Sequence, residues 1–135
     1  MKRSIAVGIS SVFFLAISSF PAQAELVKIG GGYRDGLETV HYVDTKTIDR
    51  KGTAVWWEEE RFKRTSRGVL WHHSRALYSA DCRRPTEMRL RRLRVYSEEG
   101  RPSDFFSEPW DRGPVYRVPP DSVGAKEIKF VCSYR

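Results

Sequence analysis

The chain has 135 residues, with 24 Lys and Arg against 17 Asp and Glu, and so carries a formal charge of +7. Its 40% hydrophobic and 13% aromatic content excludes a disordered chain and supplies one packed core. That length leaves little room for two domains.

Residues 1–24 read as an address. Lys2 and Arg3 form a basic start, Ile5 to Phe20 an apolar run, and Ala22-Gln23-Ala24 a small-x-small cleavage site, together the pattern of a bacterial signal peptide. A membrane span needs about 20 predominantly apolar residues; this run is shorter and broken by serines. No cysteine lies near the junction, so a lipoprotein anchor is not expected, and no later run is long enough to span a membrane. The expected organisation is therefore a signal peptide, 1–24, and a single exported domain, 25–135. Without the first 24 residues, 22 basic and 17 acidic side chains remain, a net of +5.

Export governs the reading of Cys82 and Cys132, the chain's two cysteines. In an oxidising compartment two cysteines of one small domain pair; the competing reading is a pair of buried free thiols. Two cysteines without a His-rich neighbourhood do not supply the four ligands of a structural zinc site.

In chain order, Leu26 to Ile29 is a short apolar run that Gly30-Gly31-Gly32 ends as a turn or linker. Thr39 to Val43 is rich in β-branched and aromatic residues and is expected to stop at Asp44. Asp49-Arg50-Lys51-Gly52 reads as a turn before the strand Thr53 to Glu58. From Val69 to Cys82 the pattern alternates, with Ala76, Tyr78, Ala80 and Cys82 on one face, the core face if Cys82 is bridged, and Arg75, Leu77, Ser79 and Asp81 on the other. Glu87 to Ser97 is a further strand. Pro119-Pro120-Asp121-Ser122 looks like a helix start with Asp121 or Ser122 as N-cap. Ala125, Ile128, Val131 and Cys132 then share a helical face, yet Ile128, Phe130, Cys132 and Tyr134 also alternate as in a strand. The pattern leaves both open.

Few residues suggest chemistry. His72 and His73 point to opposite faces of a strand, and His41 is distant in sequence, so all three read as ordinary sheet or surface histidines. Glu58-Glu59-Glu60, beside Arg61, Lys63 and Arg64, reads as a solvated face or hairpin end rather than a carboxylate pair. No G-x-S-x-G, H-E-x-x-H or phosphate-binding glycine motif occurs. The expectation is a protein without enzymatic activity, catalytic residues, cofactor or metal. Arginine density stands out instead: Arg83, Arg84, Arg89, Arg91, Arg92 and Arg94 lie within 12 residues. Both strand phases of this segment are mixed, which suggests a bulge near Arg91-Arg92. Two readings compete. Arg89, Arg91, Arg92 and Arg94 form either a charged outer face or guarded edge, or an anion-recognition surface, since guanidinium forks match sulfate, phosphate and carboxylate. Lipopolysaccharide, sulfated glycans or acidic proteins are the reachable partners; nucleic acid is not expected outside the cytoplasm.

Tyr42-Val43-Asp44 with Ile48 and Gly52, Ser74-Arg75-Ala76 leading to Tyr78 and Asp81-Cys82, Tyr96-Ser97 with Gly100, and Pro119-Pro120-Asp121-Ser122-Val123-Gly124 ten residues before Cys132 occur in that order. In these motifs the chain resembles the bacterial surface-adhesin protein E family, from about Leu37 to Cys132. The resemblance implies a mainly β, α+β fold: an antiparallel sheet of about five or six strands and a C-terminal helix, tied to it by Cys82–Cys132. It also implies a non-enzymatic binding module, periplasmic or at the cell surface, with host extracellular-matrix proteins as partners; anionic glycans enter through the arginine segment alone. The alternative is an envelope-resident structural or stress-related protein without a host ligand. The sequence is compatible with a monomer or a homodimer.

Cleavage between Ala24 and Glu25 predicts an exported form that begins at Glu25. Intact-mass measurement on the envelope fraction checks this; a species retaining Lys2 and Arg3 contradicts it.

Overall fold

The computed structural model describes residues 25–107 and 113–135, so the signal-peptide segment, including Ala24, lies outside the described residues. Among the described residues, seven strands form one antiparallel sheet: β1 (Leu26–Arg34), β2 (Leu37–Lys51), β3 (Ala54–Thr65), β4 (Leu70–Asp81), β5 (Glu87–Tyr96), β6 (Pro102–Ser107) and β7 (Val115–Arg117). One helix, α1 (Val123–Ser133), follows. Strands β1 to β6 are neighbours in chain order, and β7 pairs with the first half of β5, beyond the reach of β6. Short hairpins join each strand from β1 to β6 to the next, with Gly36, Gly52, Gly68 and Gly100 at positive φ in four of the turns.

Alternation along β3 and β4 decides the two faces. Val55 and Trp57 on β3, with Ala76 and Tyr78 on β4, point to one side and meet Ile128 and Val131 of α1. Trp57, fully buried, is the largest side chain of this core, which Val43, Met88, Leu90 and Val118 complete. Ala80 and Cys82 pack against it as the alternation predicts.

The C-terminal ambiguity resolves as a helix. Ser122 is its N-cap: the Ser122 hydroxyl oxygen accepts from the Ala125 N–H at 3.2 Å. Asp121 instead takes a positive φ of 65° just before the cap. Gly124 lets the first turn lie close to the sheet, because a Cβ there would come within 3.2 Å of both Met88 and Val118. The Cys82–Cys132 disulfide joins the end of β4 to the last turn of α1, with the two Cα atoms 5.8 Å apart.

Three expectations require correction. Gly30-Gly31-Gly32 is not a turn or linker but the middle of β1, paired with Thr39, Val40 and His41. The glycines permit close approach: a Cβ on Gly31 would sit 2.3 Å from the Thr39 carbonyl oxygen. β2 does not stop at Asp44; it bulges between Asp44 and Asp49 and continues to Lys51. The Thr47 hydroxyl accepts from the Glu58 N–H at 2.8 Å and bridges the irregularity. The guarded-edge reading of the arginine strand also fails, because β5 is interior, flanked by β4 on one side and by β6 and β7 on the other.

An 11-residue helix is marginal by itself, so the cross-link matters. Replacing Cys82 and Cys132 together by Ala is expected to cost about 2–4 kcal/mol, read as a lower denaturant midpoint.

Candidate functional site

Two regions bear polar chemistry, one on each face of the sheet. The arginines occupy the face turned away from α1. In the pairing of β4 with β5, Leu77 lies opposite Arg92 and Tyr78 opposite Leu90, so Arg91 is the extra residue of a bulge. The bulge re-phases the strand. It keeps Met88, Leu90 and Leu93 at the core while Arg89, Arg91, Arg92 and Arg94 share the face of Leu77 and Ser79.

These guanidiniums have partners inside the fold. Arg92 donates to Glu58 at 2.7 Å, Arg91 Nε to the Ser79 hydroxyl at 2.9 Å, and Arg89 to the Gly113 carbonyl at 2.8 Å. Arg84, Arg89 and Arg91 line a groove of about 280 Å³ beside Trp56. Next to it, three carboxylates hold one arginine: Arg75 lies 3.3 Å from Asp44, 3.1 Å from Glu58 and 3.1 Å from Glu60. Four rings cross β2 to β5 on the same face. Tyr42 meets Phe62 edge-on at 5.7 Å, and His73 is sandwiched between Phe62 and Tyr96 at 4.3 Å on each side.

The second region lies beneath α1 and was not legible in the sequence. His41 on β2, Glu59 and Arg61 on β3, Tyr78 on β4 and Glu127 on α1 line a cavity of about 300 Å³, whose outer wall includes Tyr116, Arg117 and Val118. Glu58-Glu59-Glu60 is therefore no solvated hairpin end. It lies mid-strand, with Glu58 and Glu60 in the ion network of one face and Glu59 buried on the other.

Glu59 is held by Arg61, at 3.0 Å, and approached by His41 Nδ1 at 3.3 Å. Burial opposes its charge, but the His41 and Glu127 protons and the Arg61 cation outweigh that and hold its carboxyl well below the usual range. Glu127 goes the other way: burial first, then the Glu59 charge, push it well above the usual carboxylate range, so it is neutral at pH 7. It is 0% exposed; it shares its own proton with Glu59, and no N–H or hydroxyl of the protein donates to either of its oxygens. Burial and the Glu59 charge likewise raise the Tyr78 phenol. Glu59 of β3 and Glu127 of α1 thus form a carboxyl pair that the sequence reading did not consider, the first held ionised and the second driven toward its neutral form.

Among the described residues, no three His, Cys, Asp or Glu side chains gather as a metal's donor set, and no helix is long and apolar enough to cross a membrane. The chain matches no known family, no curated protein and no solved structure.

The protonated Glu127 gives a pH signature. Its carboxyl is raised above the unfolded value, near 4.5, so its contribution is fully present below that pH and is lost as pH rises above it. Glu59 is lowered, so its contribution is present at neutral pH and is lost below the same value. Glu127→Gln keeps the shape and removes the titration. The wild type should lose stability relative to this variant between roughly pH 5 and 8, by at most about 1.4 kcal/mol per pH unit. Urea midpoints across that range check it; parallel curves contradict it.

Proposed function

We propose that the chain is an exported binding module without catalytic activity, of the surface-adhesin protein E kind, and that it holds an acidic protein partner through one end of its sheet. The carrying observation is Trp71. In the pairing of β3 with β4, Lys63 lies opposite His72 and Arg64 opposite Leu70, so Trp71 is the extra residue of a bulge at the hairpin tip. It is 61% exposed and flanked by the exposed Val69 and Leu70, with exposed Tyr33 on the neighbouring hairpin at the same end.

Tryptophan is the residue most enriched among interface hot spots, and contiguous exposed aliphatic and aromatic groups favour a protein partner over a glycan. Lys63, Arg64, Arg67 and Arg34 surround these residues in sequence, and their charge suits an acidic partner surface and speeds encounter. A second reading, an envelope-resident structural protein without a host ligand, is favoured by the internal partners of Arg89, Arg91 and Arg92.

A photo-crosslinking amino acid at position 71 in producing cells tests the proposal, with position 51 at the opposite end as control. The expected result is a discrete protein adduct from position 71 alone, and at least tenfold weaker binding of that purified partner by Trp71→Ala. Equal labelling from both positions, or binding unaffected by Trp71→Ala, supports the second reading. Retention on heparin that ignores Trp71→Ala and falls with salt would instead point to a glycan ligand.

A further inference from the structure

The cavity beneath α1 shares no lining residue with the Trp71 end and stands apart from the proposal made for it. Its charged and titratable groups come from every surrounding element: His41 from β2, Glu59 and Arg61 from β3, Tyr78 from β4, Tyr116 and Arg117 from β7, and Glu127 from α1. The Glu59 charge is met by Arg61 at 3.0 Å. Glu127 is not matched in this way. It is fully buried and lines the cavity; it can only share its own proton with Glu59, and no protein N–H or hydroxyl donates to either of its oxygens. Buried carboxyl oxygens that accept from no donor are costly.

We propose that this cavity is a binding site for a small organic cation, whose single ammonium group sits against Glu127 and Glu59. The chemistry follows from exchange. A carboxyl group can trade its proton for an ammonium and leave the net charge of the site unchanged. The Glu127 oxygens, which no protein donor reaches, would then accept from the three N–H bonds of the ligand.

The walls suit the rest of such a molecule. The Tyr78 and Tyr116 rings and Met88 supply polarisable apolar surface, and aromatic faces attract cations. The volume, about 300 Å³, lies at the small end for ligand pockets. Arg61 and the exposed Arg117 add two positive charges to the lining, which disfavours a second ammonium on the ligand.

The test is a titration of the disulfide-bonded domain with n-pentylamine, followed by amide-proton NMR. 1-Pentanol, pentanoate and the diamine cadaverine serve as neutral, anionic and doubly charged counterparts. Pentylamine should move the amide signals of Gly124, Glu127 and Tyr78. Each amine bound releases one proton, so its affinity should rise about tenfold per pH unit from roughly pH 6 to 8. Pentanol and pentanoate should leave those signals in place, and cadaverine should bind more weakly than pentylamine. Glu127→Gln, which keeps size and hydrogen-bonding capacity, should abolish the response while preserving the spread of amide signals. The proposal is overturned if pentanoate moves the same signals as strongly, if folded Glu127→Gln binds pentylamine unchanged, or if pentylamine moves nothing up to its solubility limit. Should the variant not fold, the pH slope and the pentanol comparison on the wild type decide alone.

Discussion

The covalent tie between β4 and α1 is the constraint on which the rest of this fold depends. One short helix supplies Ile128 and Val131 to a core that otherwise comes mostly from the sheet. Helical propensity cannot hold such a segment in place. The bridge spans 50 residues of sequence, and closing a loop of that size in the unfolded chain is worth about 4 kcal/mol in the chain-entropy model. Once Cys132 is fixed beside Cys82, the turns before it are drawn over Trp57, and Glu127 is carried into a place a free helix would avoid. Arg50 reinforces the same corner by donating to the Cys132 carbonyl at 2.9 Å.

Two of the sheet's single-residue bulges divide its labour. Arg91 re-phases β5, so that Met88 and Leu90 reach the core before the bulge and Arg92 and Arg94 reach the ion network after it. Trp71 performs the opposite service at the hairpin tip, interrupting the pairing just where a large aromatic side chain stays in solvent. The face turned from α1 is consequently a lattice of mutual partners, with carboxylates from β2 and β3 set against arginines from β4 and β5. Its arginine density reflects internal neutralisation at least as much as exposed charge.

What could be read beforehand depended on how local the signal was. The alternation of Ala76, Tyr78, Ala80 and Cys82 specified the core face of β4, because strand periodicity involves nothing beyond the strand. The mixed phases around Arg91 announced a bulge for the same reason. Gly30-Gly31-Gly32 misled because glycine disfavours strands on average, whereas close approach to Thr39 is a tertiary fact. The buried carboxyl pair was invisible: Glu59 sits in an acidic run and Glu127 in an amphipathic segment, 68 positions apart. Only the docking of α1 brings them together. The one available hint was Glu127 itself, next to Ile128 on the helical face that carries Val131.

The ring stack from Tyr42 to Tyr96 bears on how the chain finds its alignment. Successive side chains of a strand alternate between faces, so sliding any one of the four strands by a single residue would send its ring to the far side. Phe62 and His73 would then lose the parallel contact at 4.3 Å, and Tyr96 would lose its neighbour as well. Each such contact is worth about 0.5–1.5 kcal/mol for true aromatic pairs. A slip in the middle of the sheet forfeits two at once and also separates Arg75 from its carboxylates. The stack thus works as a vernier, in which several modest contacts agree at one setting and at no adjacent one. A sheet with many near-equivalent hairpins has particular use for such a gauge, since its turns alone leave neighbouring alignments close in energy.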